Sequence, residues 1–238
     1  MARLGAPTPE ALSARARLFP GMPSQEATAL LLGALACGER LAAKRARAGV
    51  EYAPDARSKM QQEHVAEREE QNAELVAARL TEVGSADLAT RFTPYFEAFH
   101  VRTEPADWVE VQTFHYVGDA LVSEFAEELA GTVDPVSAEV IRTTLGKRED
   151  LEGFALDELM RALSSDPSAK GRIAAYSRRI SGEALTQTKK ALESAAALRE
   201  LLGGEEGEKR LLLKLLEGHR VRLDRLGIDL MEVDEDDD

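Results

Sequence analysis

The sequence predicts an all-α protein, an antiparallel four-helix bundle with extra helices added at its C-terminal end. Three observations carry that prediction. Hydrophobic residues make up 44% of the 238 residues but aromatics only 5%, and the excess is Ala and Leu, the residues that cost least to hold in a helix. No run alternates apolar and polar with period two, so no sheet is expected. Between breaks at Gly, Pro and Asp the apolar residues recur at three and four, and four of the segments before Asp166 reach about 25 to 30 residues, or some 35 to 45 Å at 1.5 Å per residue.

The first 23 residues contain Pro7, Pro9, Pro20 and Pro23 and read as an extended lead. A short helix begins at about Thr8, where a cap residue is followed by proline, and the lead is expected to drape over the bundle or fray. Helical patterning starts at Ser24. The next breaks fall around Gly49 to Pro54, Gly84 and Ser85, Thr103 to Pro105, Gly131 to Pro135, Asp166 and Pro167, and Gly203 to Gly207. They predict helices near 24–48, 55–83, 86–99, 105–130, 135–164, 167–202 and 207–226. The two after Asp166 are expected to pack on the outside of the bundle. One helical domain over 24–228 then precedes a disordered acidic tail, 229–238.

Charge narrows the function classes. The formal net charge is −13, and six of the last seven residues, Glu232 to Asp238, are acidic, so the tail carries nearly half of the imbalance. A negative body repels phosphate, and a nucleic-acid partner would need a strong local basic patch. The two candidates, Arg40, Lys44, Arg45 and Arg47, and Arg178, Arg179, Lys189 and Lys190, sit on predicted helices where such residues ordinarily solvate an outer face. No nucleic acid is expected to bind. The single cysteine, Cys37, permits no internal disulfide and suits a reducing compartment. The most apolar stretch, Ala27 to Cys37, is too short to span a membrane, and the N-terminus shows no apolar signal core. A cytoplasmic protein without a membrane partner is therefore expected.

Polar residues interrupt the core stripes of the long helices. On the first, the stripe Leu32, Leu35, Ala42 and Ala46 passes through Glu39. On the second, stepping back from Leu80 and Val76 reaches Asn72 and then Glu69. On the third, Glu124 lies at the edge of the stripe, beside Phe125. On the fourth, Val140, Thr143, Lys147, Asp150 and Phe154 share a face. An unpaired buried charge costs several kcal/mol, so inward carboxylates on three or more helices imply a shared counter-charge, from metal ions or a basic side chain. For any one of these acids the simpler outcome is a slight helix rotation that lets it reach the rim.

Further along the chain come Gly38-Glu39, then Ala98-Phe99-His100 with Thr103, Pro105, Asp107 and Trp108, then Tyr116-Val117-Gly118-Asp119, then Gly182-Glu183-Ala184-Leu185-Thr186-Gln187, and finally His219. In these residues and their order, the stretch from about Ala27 to Ile228 resembles bacterial ferritin-like proteins similar to the tRNA hydroxylase MiaE, a non-haem di-iron family. The resemblance implies a ferritin-like bundle in which two helices each offer a Glu and two others each offer Glu-x-x-His. It places the first-helix metal ligand on Glu39, the second-helix pair on Glu69 and Asn72, the third-helix acid on Glu124, and the fourth-helix pair on Lys147 and Asp150. The ligand histidines are thus replaced. His64 and His115 lie too far along their helices from Asn72 and Glu124 to take over.

Iron that activates dioxygen is typically held by imidazole together with carboxylate, and these positions offer only oxygen ligands and an ammonium. The first expectation is therefore a non-catalytic scaffold or binding protein with a degenerate di-iron site and Lys147 as the substitute charge. It would hold no cofactor and would act on a protein partner not identifiable from sequence, a homodimer being one option. The alternative is a metalloenzyme with an altered ligand set, a hydroxylase-like di-iron protein or one holding Mn²⁺ or Mg²⁺. A third option gives the work to the C-terminal helices or the acidic tail. Iron storage fits poorly, for want of a ferroxidase or shell-forming signal.

Overall fold

The computed structural model describes residues 24–146 and 149–229. The N-terminal lead, Lys147 and the acidic tail from residue 230 lie outside the described residues.

Capping decides where the helices begin. Ser24 Oγ accepts from Ala27 N at 3.1 Å and starts α1 (Gln25–Gly49). Asp55 accepts from Ser58 N at 2.8 Å and starts α2 (Ala56–Glu82). Gly84, at φ +78°, turns the chain after α2. The helix expected at 86–99 is a 3₁₀ turn, Ala86–Thr90, followed by α3 (Thr93–Arg102). Pro94 disfavours a continuous helix through the residues before it. Asp107, accepting from Glu110 N at 2.9 Å, starts α4 (Trp108–Thr113). This passes through a π turn, Phe114–Gly118, into α5 (Asp119–Ala130). Asp134 accepts from the Val136 and Ser137 amides, both at 3.1 Å, and Pro135 opens α6 (Pro135–Leu145).

Two expected helices are each divided in two. The segment 135–164 breaks at Gly146, whose extended backbone (φ −61°, ψ 172°) ends α6 before α7 (Glu149–Ser165). A Cβ there would come within 2.4 Å of Arg142 O, so the break is built around the missing side chain. The segment 167–202 divides at Ala195 (φ −144°, ψ 75°) into α8 (Ala169–Ser194) and α9 (Leu198–Leu202). Gly203 and Gly204, both at positive φ, lead into α10 (Glu205–Arg225).

The result is all-α, with no strand among the described residues. The antiparallel pair α1 and α2 packs most extensively, α6 lies against α2 and α5, and α10 against α5. Helices α3 and α4 pack on α8, and α4 also packs on α7. One apolar core joins α1, α2, α5 and α6 through Leu32, Leu80, Leu129 and Ile141. A second gathers Tyr116 and Val117 of the π turn with Leu159, Ile173, Leu223 and Ile228. The helices after Asp166 are thus structural members: Ala169, Ile173, Ala174 and Ile180 are fully buried. Apolar residues on each helix, not its place in the chain, decide whether it joins the core.

Candidate functional site

The stripe on α1 carries Glu39 inward, where it is 4% exposed, and that on α2 carries in Glu69 at 3% and Asn72 at 6%. The antiparallel register, set by Gln62 Nε2 donating to Ala46 O at 3.0 Å, puts Glu39 and Glu69 at similar heights on adjacent helices. Asn72 Nδ2 donates to Thr144 O of α6 at 3.0 Å. Its amide therefore ties α2 to α6.

The other two acids do not join them. Glu124 stands at the edge of α5 and turns towards α10, where Arg222 Nη1 lies 2.7 Å from its Oε1. The inward residue at that level of α5 is its neighbour Ser123, which is buried. Gly218 makes room for the ion pair, since a Cβ there would lie 2.5 Å from Glu124 Oε2. Asp150 is a surface residue: its side chain is 64% exposed and sits 3.1 Å from Arg68. Arg68 and the backbone amides at the start of α7 outweigh the opposing effect of burial and lower its pKa. The face expected on the fourth helix is also displaced. Thr143 and Asp150 point out, while Ile141, Thr144, Leu145 and Leu151 point in. The break at Gly146 rotates the second half relative to a continuous helix.

Of the expected ligand positions, one is an amide donating to a carbonyl, one a carboxylate held by a guanidinium, and one lies at the surface. Among the described residues, no three His, Cys, Asp or Glu side chains are placed to hold one metal ion.

Two polar features escaped the sequence reading. The first is the π turn, which swings His115 into the interior at 6% exposure. Its Nδ1 lies 2.8 Å from Asp119 Oδ2, and its Nε2 lies 3.1 Å from Gln62 Nε2. Gln62 Oε1 lies 3.2 Å from the same His115 Nε2, and Gln62 Nε2 also donates to Ala46 O. His115, Asp119, Ser123 and Glu124 line a small polar cavity closed by Leu151, Glu152 and Arg222, of about 30 Å³. Insertions of this kind are frequent at functional sites. The signal was Gly118: a Cβ there would press on the Phe114 ring at 3.2 Å.

The second is Arg45, expected on an outer face with its basic neighbours but 6% exposed. Its Nε donates to His100 Nδ1 at 3.2 Å and its Nη2 to Thr103 Oγ1 at 2.8 Å, with the guanidinium 4.0 Å from the centre of the Phe114 ring. Burial lowers its pKa. Burial also pushes the His100 imidazole down to about 4, the Arg45 and Lys44 cations adding to the effect. Tyr176, whose hydroxyl donates to Thr103 O at 2.7 Å, is raised by burial. Its place three residues after Ala42, beside the α1 stripe, was the available signal.

The Gly182 to Gln187 run, which the sequence did single out, holds α8 to α3 through Glu183 and Arg102 at 3.1 Å, Gln187 donating to Glu183 at 3.1 Å. His219, buried on α10, lies 3.3 Å from Ser181 Oγ, and burial lowers its pKa.

The family model described as a ferritin-like domain of actinomycetes matches residues 24–205. No curated protein matches the chain.

Proposed function

The chain belongs to the ferritin-like domain family of actinomycetes, and on that premise we propose that it is a non-catalytic scaffold or binding protein whose ancestral di-iron centre has lapsed. The observation that carries this reading is the Glu124 to Arg222 ion pair at 2.7 Å, both side chains largely buried. A guanidinium holding a helix-borne carboxylate supplies the positive charge that a metal would otherwise bring. The Asn72 amide and the surface position of Asp150 support the same reading, because neither offers an inward anionic donor. The finer resemblance to MiaE-like tRNA hydroxylases makes the lapsed centre a former oxygenase site. A cytoplasmic location accords with the absence, among the described residues, of any helix long and apolar enough to cross a membrane.

The alternative, an oxygen-ligated Mn²⁺ or Mg²⁺ enzyme, draws on Glu39 and Glu69, two buried carboxylates at similar heights. Elemental analysis separates the two. Full-length protein grown in iron- and manganese-supplemented medium and purified without chelator should contain no stoichiometric metal; one or two atoms per chain would establish the metalloenzyme reading instead. In the scaffold reading Lys147 shares the counter-charge. Lys147→Met then lowers the melting temperature by removing about 2 to 3 kcal/mol of stability, and an unchanged melting temperature removes Lys147 from the network.

A further inference from the structure

The outer face of the α1 and α2 pair forms an open groove with two walls of opposite charge. Arg40, Lys44 and Arg47 of α1 make the basic wall, and Glu70 and Glu74 of α2 the acidic one, above a floor of small side chains, Ala43 and Ala73. The walls meet at matching height: Arg47 Nη2 lies 2.6 Å from Glu70 Oε1, with the two side chains 48% and 51% exposed. Glu51 closes the groove at the end of the basic wall.

Such a face is complementary to itself. A two-fold axis lying along the groove sets the basic wall of one copy over the acidic wall of the other, and does so twice at the same height. A lone incoming helix would have to carry opposite charges on its two edges in the matching order; a second copy does so by symmetry. We propose that this groove is the contact between two copies of the chain, held by Lys44 and Arg47 of one copy against Glu70 and Glu74 of the other. The proposal stands apart from the reading of the metal site, since none of these residues belongs to it.

Sedimentation velocity on the full-length chain tests it with two paired variants. K44E/R47E makes both walls acidic, and E70K/E74K makes both basic. Arg40 is left intact because it also donates to Ala89 O and Thr93 Oγ1. Wild-type protein is expected to sediment as a dimer that weakens as salt is raised. Each variant alone should be monomeric with a native circular dichroism spectrum and melting curve, and an equimolar mixture should restore the dimer. That recovery also shows both variants are folded. A monomeric wild type, variants as dimeric as the wild type, or a mixture that stays monomeric each overturns the proposal, the first leaving the groove to a different partner.

Discussion

Arg222 and Glu124 sit at 13% and 16% side-chain exposure, which makes them more than a surface pair and less than a buried one. Replacing Arg222 with Met leaves a largely desolvated carboxylate beside Gly218 and should cost about 2 kcal/mol. Equilibrium urea unfolding measures the loss, and Arg222→Met/Glu124→Gln should recover part of it, because the stranded charge has gone. No recovery would mean that the Arg222 stem, not its charge, matters there. His100 gives a prediction in pH. Its Nδ1 must stay unprotonated to accept from Arg45 Nε, and its folded pKa, about 4, lies below the ordinary value of 6.5. The unfolded chain therefore takes up the proton first, so this contribution to stability is intact at neutral pH. It is lost progressively as pH falls from about 6.5 towards about 4. Lys44 lies on the same helix as Arg45, and both cations oppose the protonated ring. His100→Gln keeps an acceptor for Arg45 without titrating and should flatten that part of the stability–pH curve; equal slopes in the two proteins would count against the assignment.

At the level of elements, glycine marks the places where the helices depart from the simplest periodic reading. Gly118 allows the π turn to close over the Phe114 ring, and Gly146 allows the fourth long segment to break and reorient. Gly207 is the tightest, since a Cβ would overlap Leu202 O, the carbonyl that ends α9. Gly207→Ala should thus force apart the α9 to α10 turn and cost more than about 3 kcal/mol, at the extreme of single substitutions. Gly118→Ala meets only a ring edge that can give by a few tenths of an ångström and should cost about 1 kcal/mol. Thermal unfolding of the two variants checks the ranking, and a Gly118→Ala loss exceeding that of Gly207→Ala would show that the π turn is the stiffer element. Helix periodicity located Glu39, Glu69 and Asn72 because α1 and α2 are unbroken through those residues. It misplaced Asp150 because the phase of a stripe is lost at a break, and misjudged Arg45 because charge alone does not say which basic side chain meets buried acceptors, here His100 and Thr103, on another element.

For the whole molecule, α10 is the instructive case. Most of it lies beyond residue 205, where the family match ends, yet it supplies Leu211 to one apolar core and Leu223 to the other, with Leu226 and Ile228 just after it. Truncation after residue 204 should therefore abolish cooperative unfolding, read as a loss of the sigmoidal urea transition by circular dichroism. A shortened chain that still unfolds in one sharp step would return α10 to the role of a surface addition. By itself the sequence determined the all-α class, the positions of most helix starts, and the inward faces of α1 and α2, because capping residues and the 3.6-residue repeat act within a few residues of chain. Only the tertiary structure decided that Glu124 faces Arg222 at a separation of 98 positions, that His115 turns inward against Gln62, and that the last helix is core. Those outcomes depend on which elements meet and with what rotation, and local patterning carries the strength of each stripe but not the identity of its partner.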